Sequence, residues 1–386
     1  MMLPTATVVV GYSFPVARKI LSTVHSVRRL HISQCVPPFL QIVRLLSIMR
    51  FVGGPTRLSD VIQKNPKCFE IAQLAVCIPV FNDWQSVAIL LSYLNVEFCR
   101  SNARLQVVLV DDGSTDSIGM LSLDDSRLPV QILHLTRNIG HQRAIAIGLA
   151  AIAEKFECDA VVVMDADGED KPEDIPVLLQ ELQKNQPPAV VFAQRMRRTE
   201  SLKFKLGYAC FKVLHRMLTG RPCDVGNFSV IPAVWLKRLV CSSELWIHYA
   251  AAVACSRLPI VKVPCNRGQR YAGQSHMKLT SLIVHGLSAI SVFGETVGVR
   301  ICIALGAVSS LTVLALLTVL YLRFMTDLAV PGWATSATGL LLILLVNLLL
   351  LTLNSVLVIL GARNNASFIP SRDWSTFVSG WTVIHE

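Results

Sequence analysis

The chain has 386 residues, of which 52% are apolar and only 16% are charged. Soluble domains carry about 25% charged residues, so this composition indicates that part of the chain does not lie in water, and it excludes intrinsic disorder and collagen-like repeats. The net charge is +10, but residues 1–59 hold seven Lys and Arg and no Asp or Glu. The rest of the chain is nearly neutral and lacks the basic face that nucleic-acid binding requires.

The first predicted element is a basic N-terminal extension, residues 1–70. Between residues 16 and 32 apolar side chains recur on one helical face, and the Arg and Lys side chains lie elsewhere. This pattern fits an organelle presequence or an interfacial helix, and it fits equally an upstream extension of a protein that starts at Met49. We expect the extension to be poorly ordered and to take no part in the chemistry.

Residues 71–278 alternate between strand-like and helical segments. Apolar runs typical of strands are residues 71–81, 105–111, 130–136, 160–165, 189–194 and 260–264, and helical patterns occupy residues 141–156 and 172–183. This alternation predicts a Rossmann-like α/β domain with a mostly parallel sheet. Ligands bind such sheets at the carboxyl ends of the strands, so the residues that follow the strands are the candidates for a site.

The C-terminal part is predicted to lie on and in a membrane. Residues 279–298 are apolar enough for an interfacial helix, and two uncharged runs, about 301–322 and 339–361, are typical of a transmembrane hairpin. A helix of 22 residues reaches ~33 Å, the thickness of the hydrocarbon core. Positive charge flanks the hairpin and not its loop, so the α/β domain and a tail, residues 363–386, are predicted to be cytoplasmic.

Three of the predicted strands end in polar motifs. These are IPVFND (78–83), VDDGSTD (110–116) and MDADGED (164–170). Carboxylates crowded at one sheet edge repel one another unless a cation or a sugar hydroxyl engages them. Asp165 and Asp167 offer the oxygen ligands that Mg²⁺ or Mn²⁺ prefers. A lone D-x-D is a weak signal because acidic turns are common, but its occurrence with VDDGSTD, each after a Val-rich strand, is specific.

The motifs resemble those of the family-two glycosyltransferases of the GT-A fold. The resemblance also includes RNIGHQRAIAIGL (137–149), MDADGEDKPEDIP (164–176) and RYAGQSHM (270–277), all in family order. More narrowly, residues 73–362 are similar to the polyprenyl-phosphate glycosyltransferases, some of which have a two-helix C-terminal anchor. This resemblance implies transfer of a sugar from a nucleotide-diphosphate sugar to a polyprenyl phosphate, by in-line displacement with inversion, assisted by Mg²⁺ or Mn²⁺.

The resemblance also implies roles for single residues. The expected donor-binding residues are Pro79, Phe81, Asn82, Asp111, Asp112, Asn138, Gly140 and Asp165. The expected metal ligands are Asp165, Asp167 and Glu169, and the expected catalytic residues are Asp170, as an orienting carboxylate, and Arg270, near the leaving diphosphate. Arg195, Arg197 and Arg198 are expected to bind the acceptor phosphate, since arginine forks suit phosphate oxygens.

Two segments leave more than one interpretation open. The family usually has Lys after the residue that corresponds to Ser275, whereas this chain has His276 there and Lys278 two residues on. This departure leaves open which cation contacts the leaving group. Residues 243–252 bring Trp246, His248 and Tyr249 together, and a packed helix explains this cluster more simply than stacking of the Trp ring on a sugar.

Other functions fit the sequence less well. A processive polysaccharide synthase would carry a Q-x-x-R-W motif, which is absent, and the membrane spans argue against a soluble nucleotidyltransferase. A catalytically silent membrane scaffold of the same fold, and a transferase with a different lipid or saccharide acceptor, stay as alternatives. The expected partners are a nucleotide-sugar donor, a polyprenyl phosphate and the lipid bilayer. The sequence leaves open the sugar, the base, the lipid length and association into a homo-oligomer.

Overall fold

The structure is a computed structural model that describes residues 71–98, 103–118, 128–195, 202–222, 224–272, 279–327, 330, 332–364 and 367–385. The chain divides into two compact units, Met1–Pro66 and Lys67–Glu386, and everything described belongs to the second. The predicted N-terminal extension, residues 1–70, therefore lies outside the described residues.

Within the described ranges, eight strands form one mixed sheet in the order β7-β5-β6-β4-β1-β2-β3-β8. They are β1 Gln73–Val80, β2 Arg104–Asp111, β3 Val130–Leu135, β4 Ala160–Val163, β5 Val190–Arg195, β6 Ser229–Pro232, β7 Ile260–Cys265 and β8 Val378–His385. Strands β1 to β4 run parallel, as do β5 and β7, whereas β6 and β8 are antiparallel to their neighbours. The predicted α/β fold with a mostly parallel sheet is confirmed.

Strand β8 is an element that the sequence analysis did not predict. It pairs antiparallel with β3, with Trp381 beside Leu133 and Thr382 beside Ile132. Residues 363–386 were expected to be a tail outside the α/β domain, and their last strand instead covers an edge of its sheet. Because β8 follows the long apolar helices in the sequence, this pairing returns the C-terminal part of the chain to the catalytic domain.

Helices cover both faces of the sheet. They are α1 Trp84–Phe98, α2 His141–Lys155, α3 Ile175–Lys184, α4 Leu202–Thr219, α5 Ala233–Val240, α6 Tyr249–Cys255, α7 Leu279–Ser291, α8 Gly294–Met325, α9 Trp333–Asn364 and α10 Pro370–Asp373. Alternate residues of β1 enter two separate cores, with Ala75 and Cys77 packed on the side of α2 and Leu74, Val76 and Ile78 on the side of α1. Burial on both faces explains why the central strands are continuous apolar runs.

Close packing of α2 on the sheet depends on Gly148. A Cβ at this position would lie 2.5 Å from Sγ of Cys77 and 2.6 Å from Cγ2 of Val110. We expect Gly148→Ala to destabilise the fold by roughly 1–3 kcal/mol, because both neighbours are fully buried and cannot move away freely. The measurement is the thermal unfolding midpoint in detergent.

Gly207, in the helix α4, is a matched control for this prediction. A Cβ at Gly207 meets no atom of the described residues within 4 Å. Gly207→Ala should therefore leave stability unchanged or raise it by up to about 1 kcal/mol. An equal response of the two variants would contradict the packing explanation.

Helices α8 and α9 are long and apolar and pack against each other. Each is long and apolar enough to cross a membrane, by length and composition. The two predicted spans, residues 301–322 and 339–361, lie inside them. Their large apolar side chains are mostly exposed, as Leu314 at 61% and Leu340 at 69% illustrate. An exposed apolar surface of this extent needs lipid or another protein to cover it.

Candidate active site

Parallel pairing gathers the three polar motifs at one edge of the sheet. Strand β1 pairs with β2 so that Val80 lies beside Asp111, and with β4 so that Cys77 lies beside Val163. The loops that follow these three strands are therefore neighbours. This is the edge where α/β sheets bind their ligands.

Asn82 joins the first two of these loops. Its φ of 49° is in the left-handed region, which Asn tolerates better than most residues. Its Oδ1 accepts hydrogen bonds from the backbone N–H groups of Thr115 (2.8 Å) and Asp116 (3.3 Å), and its Nδ2 donates to Oγ1 of Thr115 (3.0 Å). Asn82 thus fixes the loop geometry. The ring of Phe81 beside it is 48% exposed and available to a flat ligand, whereas Pro79 lies within β1.

Asp111 is buried, and both of its side-chain oxygens have hydrogen-bond partners. Oδ1 accepts from the backbone N–H of Ser114 (2.9 Å), and Oδ2 lies 3.0 Å from Nδ1 of His134. Nε2 of the same imidazole lies 2.9 Å from Oγ1 of Thr382, in β8. A chain of hydrogen bonds therefore runs from the C-terminal strand to the loop after β2. Neither His134 nor Thr382 was among the predicted site residues.

Asp112 connects the loop after β2 to the start of α2. Its two oxygens accept from the backbone N–H groups of Ile139 (2.7 Å) and Gly140 (2.9 Å). Burial raises the pKa of Asp112 and outweighs these two hydrogen bonds, which lower it. At Gly113, φ is 71° and a Cβ would lie 2.6 Å from the backbone N of Asn138, so this contact requires glycine. The predicted donor residues Asp112, Asn138 and Gly140 are thus brought together.

The turn after β4 is held by its own carboxylates. The backbone N–H of Asp165 donates to Oδ2 of Asp170 (3.0 Å), and that of Glu169 donates to Oδ1 of Asp167 (3.0 Å). Asp170 is only 2% exposed. This geometry gives Asp170 a part in shaping the turn, and its expected role as an orienting carboxylate stays a prediction.

Arginines from the segment after β7 contact the carboxylates of this turn. Nη2 of Arg270 lies 3.1 Å from Oδ2 of Asp83, and Nη1 lies 3.5 Å from Oδ2 of Asp167. Arg267 forms an ion pair with Glu169. Arg270, predicted as catalytic, therefore links the loop after β1 to the turn after β4. Neither Asp83, which contacts Arg270, nor Arg267, which contacts Glu169, was among the predicted site residues.

The carboxylates of the turn provide some, but not all, of the ligands that a divalent cation needs. Burial, followed by the charges of Asp165 and Glu169, raises the pKa of Asp167, and Arg270 only partly offsets this. A divalent cation would relieve that repulsion. Among the described residues, no three His, Cys, Asp or Glu side chains converge closely enough to hold a metal ion. The oxygens of Asp165 and Asp167 still match the way Mg²⁺ binds, through one or two carboxylates completed by substrate phosphates.

Residues 75–238 match the model of the family described as Glycosyl transferase family 2. The chain contains a family 2 glycosyltransferase domain. It is 27% identical over 273 residues to the uncharacterized glycosyltransferase YkcC of Bacillus subtilis, a match that covers 68% of this chain and 81% of that protein.

Two other similar proteins are named for an activity. An undecaprenyl-phosphate 4-deoxy-4-formamido-L-arabinose transferase of Photorhabdus laumondii is 25% identical over 281 residues, which covers 68% of this chain and 81% of that protein. The solved structure of a glucosyl-3-phosphoglycerate synthase from Mycobacterium tuberculosis, with Mn²⁺ and UDP, has a TM-score of 0.43 and 16% identity. It covers 59% of this chain and 80% of that chain.

The glycosyltransferase domain has a second polar network, which is centred on His141 and Gln142. Nε2 of His141 lies 3.2 Å from Oδ1 of Asp165 and 3.0 Å from Nδ2 of Asn227. Burial lowers the pKa of His141, but the charge and hydrogen bond of Asp165 outweigh burial and raise it overall. Gln142 extends the network, because its Nε2 donates to Oδ1 of Asn227 (3.2 Å) and its Oε1 accepts from the backbone N–H of Tyr249 (2.7 Å).

Trp246 packs against other aromatic side chains of the protein. Of the two interpretations, packing and stacking on a sugar, the structure shows packing. Its ring centroid lies 3.8 Å from that of Phe368 and 5.2 Å from that of Phe377. Both partners belong to the C-terminal segment that leads to β8. The ring therefore joins this segment to the glycosyltransferase domain.

Some predicted site residues lie outside the described part of the glycosyltransferase. Arg197 and Arg198 belong to residues 196–201, and His276 belongs to residues 273–278, none of which are described. Arg195 is the last residue of β5, and only its backbone is described. The acceptor-phosphate assignment of the three arginines stays a prediction.

Thr382 is expected to act on the donor site through His134. Thr382→Val keeps the shape of the side chain and removes the hydroxyl, so the imidazole of His134 loses one of its two hydrogen bonds. One such bond contributes about 0.5–1.5 kcal/mol, so we expect KM for the nucleotide sugar to rise roughly 3- to 10-fold at nearly constant kcat. The measurement is steady-state kinetics.

Thr376→Val is the matched control for this hydrogen-bond chain. Thr376 lies in the same C-terminal segment, and its Oγ1 donates only to the backbone O of Asp373 (2.7 Å). The KM of the Thr376→Val variant for the nucleotide sugar should stay at the wild-type value. An unchanged KM in Thr382→Val would show that the chain from β8 does not position the donor loop.

Proposed function

We propose that this glycosyltransferase is membrane-bound and moves a sugar from a nucleotide-diphosphate sugar to a polyprenyl phosphate, assisted by Mg²⁺ or Mn²⁺. The observation that carries the proposal is one compact unit in which a site of carboxylates and arginines is followed by two long, exposed apolar helices. The name of the Photorhabdus relative, an undecaprenyl-phosphate transferase, supports a lipid phosphate as acceptor.

The reaction is a direct displacement with inversion. An anionic oxygen of the acceptor phosphate attacks the anomeric carbon and forms a carbon–oxygen bond. The bond from that carbon to the β-phosphate oxygen of the donor breaks, and its electron pair leaves with the nucleoside diphosphate. No general base is required, because the attacking phosphate is already ionised at neutral pH.

The described residues would have two tasks in this step. Asp112 and Asn82 fix the loops that border the donor. Arg270, which contacts both Asp83 and Asp167, brings positive charge to the place where the diphosphate leaves. A bound Mg²⁺ or Mn²⁺, held by Asp165 and Asp167, supplies further positive charge to the same leaving group.

The membrane arrangement follows from charge and exposure. Helices α8 and α9 would form the transmembrane hairpin, and the preceding α7 would lie at the interface. Arg300 at the start of the first span and Arg363 at the end of the second support a cytoplasmic catalytic domain. Arg195, Arg197 and Arg198 would bind the acceptor phosphate, and homo-oligomer formation stays open.

Two alternatives have distinct consequences. A catalytically silent scaffold would neither bind nor consume a nucleotide sugar, and the acidic motifs argue against it because every carboxylate of the site is present. A transferase for a different lipid or saccharide acceptor would consume the donor without a polyprenyl phosphate.

The test is an assay of the purified full chain with Mn²⁺, undecaprenyl phosphate and a panel of nucleotide sugars. We expect at least one donor to release its nucleoside diphosphate at a rate that depends on the lipid. The matched control replaces the lipid phosphate with undecaprenol, which lacks the nucleophilic phosphate and should support no release. Equal release with undecaprenol, or with no lipid, would contradict the proposal.

A further inference from the structure

Two imidazoles from different elements meet next to Tyr249, whose backbone N–H donates to Gln142 in the network of His141. His248 precedes α6, and His285 lies in α7, which leads from the glycosyltransferase domain to the first apolar helix. Their Nε2 atoms are 3.2 Å apart and their ring centroids 4.5 Å apart. His248 is 7% exposed, whereas His285 is only partly buried. The reaction described above assigns no role to this pair.

The backbone determines how the pair shares its protons. Nδ1 of His248 accepts a hydrogen bond from the backbone N–H of Ala251, at 3.4 Å. The neutral ring of His248 therefore carries its proton on Nε2, which donates to Nε2 of His285. In the neutral pair, the proton of His285 is then on Nδ1. That N–H group is a donor that the pair itself does not use.

The helix α7 carries this donor and also presents an apolar surface. Ile283, Val284 and Leu287 are more than half exposed and form the outer side of α7. On the side that carries His285, Ala289 is buried and belongs to the same apolar cluster as Ala251 of α6. The His285 ring therefore lies on a helix with an exposed apolar side, and it contacts His248, the residue before Tyr249, whose backbone N–H donates to Gln142.

The electrostatic surroundings suit an incoming anion. Burial, followed by the charge of His285, lowers the pKa of His248 to about 3, and His141 and His215 make smaller contributions to this decrease. Burial and then His141 lower the pKa of His285, against the opposing charge of Asp165. The pair is therefore neutral without a ligand. A phosphate close to it would stabilise an added proton and turn the pair into a charge-assisted donor.

We propose that His248 and His285 bind the phosphate group of the lipid acceptor, with Nδ1 of His285 as the direct donor and His248 as its support. The proposal rests on the proposed function, because it assumes a lipid-linked phosphate as acceptor. The same phosphate chemistry occurs in the headgroups of anionic phospholipids, so the experiment has to separate these two sources.

The central measurement is equilibrium binding of undecaprenyl phosphate to the full chain in nanodiscs of neutral phosphatidylcholine. His285→Gln removes the imidazole from α7. His248→Asn removes the second imidazole and keeps a residue that is favoured at a helix N-terminus, so that α6 still begins correctly. Each variant should raise Kd roughly tenfold, because a hydrogen bond to a charged group is lost. KM for the nucleotide sugar should change less than about twofold in both.

Ser288→Ala is the matched control on the same helix. The hydroxyl of Ser288 donates only within α7, to the backbone O of Val284 at 2.9 Å. This variant should bind undecaprenyl phosphate and the nucleotide sugar as the wild type does. A loss of lipid binding in Ser288→Ala equal to that in His285→Gln would overturn the proposal, because the effect would then come from the packing of α7.

The remaining outcomes separate the inference from the proposed function. Unchanged Kd for undecaprenyl phosphate in both histidine variants would overturn the inference alone. Weaker association of the variants with phosphatidylglycerol vesicles that lack undecaprenyl phosphate would also overturn it, since the pair would then bind headgroups. If the wild type releases no nucleoside diphosphate with any donor and undecaprenyl phosphate, the proposed function itself is wrong.

Discussion

Asp167→Asn is expected to lower the rate of sugar transfer by ~10²–10³. The substitution keeps the shape of the side chain and removes one negative charge from the turn after β4. The metal would bind more weakly, and the leaving diphosphate would lose stabilisation. Steady-state kinetics over a range of Mn²⁺ concentrations is the measurement, and part of the lost rate should return at high Mn²⁺.

The fold itself should tolerate Asp167→Asn. The carboxylate is repelled by Asp165 and Glu169, so its removal should leave the thermal unfolding midpoint in the presence of a chelator unchanged or slightly higher. Glu173→Gln is the matched control, because Glu173 is an exposed carboxylate just beyond the turn. It should keep the wild-type rate. A wild-type rate in Asp167→Asn, or wild-type activity after complete chelation, would contradict the metal role.

Arg270→Gln is expected to have the second-largest effect, a loss of about 10² in kcat. The guanidinium contacts Asp83 and Asp167 at once, so its removal takes away positive charge where the diphosphate leaves and also frees two loops. Arg270→Lys should retain part of the rate, because an ammonium keeps the charge but cannot make both contacts with fixed geometry. Kinetics with saturating donor measures both variants.

Arg104→Gln is the control for the loss of an arginine. Arg104 is exposed and begins β2, at the opposite end of the strand from Asp111. The kcat of the Arg104→Gln variant should equal that of the wild type. If Arg270→Gln transfers sugar as fast as Arg104→Gln does, Arg270 does not act on the leaving group.

The sheet and the polar motifs were visible in the sequence for a simple physical reason. Strands that are buried on both faces appear as uninterrupted apolar runs, and all six predicted runs coincide with strands of the structure. Parallel strands then end at the same edge, so that the motifs after Val80, Asp111 and Val163 had to meet. The location of the site followed from local patterns and one topological rule.

The contacts that complete the site were not visible, because they join residues far apart in the chain. Strand β8 is half exposed, and nothing local indicates that it pairs with β3, which precedes the two apolar helices in the chain. The same holds for Arg267 with Glu169 and for His248 with His285. Val, Trp and Ile in residues 378–384 favour a strand, and this was the available signal for β8.

The predicted roles of the carboxylates also show the limit of motif reasoning. A motif indicates which residues lie at the site, but burial and hydrogen bonding distinguish those that face a ligand from those that hold a loop. Asp111, Asp112 and Asp170 all use oxygens to fix backbone N–H groups. Asp167 also accepts a backbone N–H bond, from Glu169, but the charges of Asp165 and Glu169 repel its carboxylate, and this repulsion favours a cation there.

The most direct test of the proposed reaction follows the oxygen that joins sugar and lipid. Undecaprenyl phosphate labelled with heavy oxygen in its phosphate is incubated with the full chain, Mn²⁺ and the donor that the panel identifies, and both products are examined by mass spectrometry. The account predicts a glycosyl phosphate lipid that keeps all of the label and an unlabelled nucleoside diphosphate. Release of a nucleoside monophosphate with a lipid diphosphate, or of free sugar alone, would contradict it.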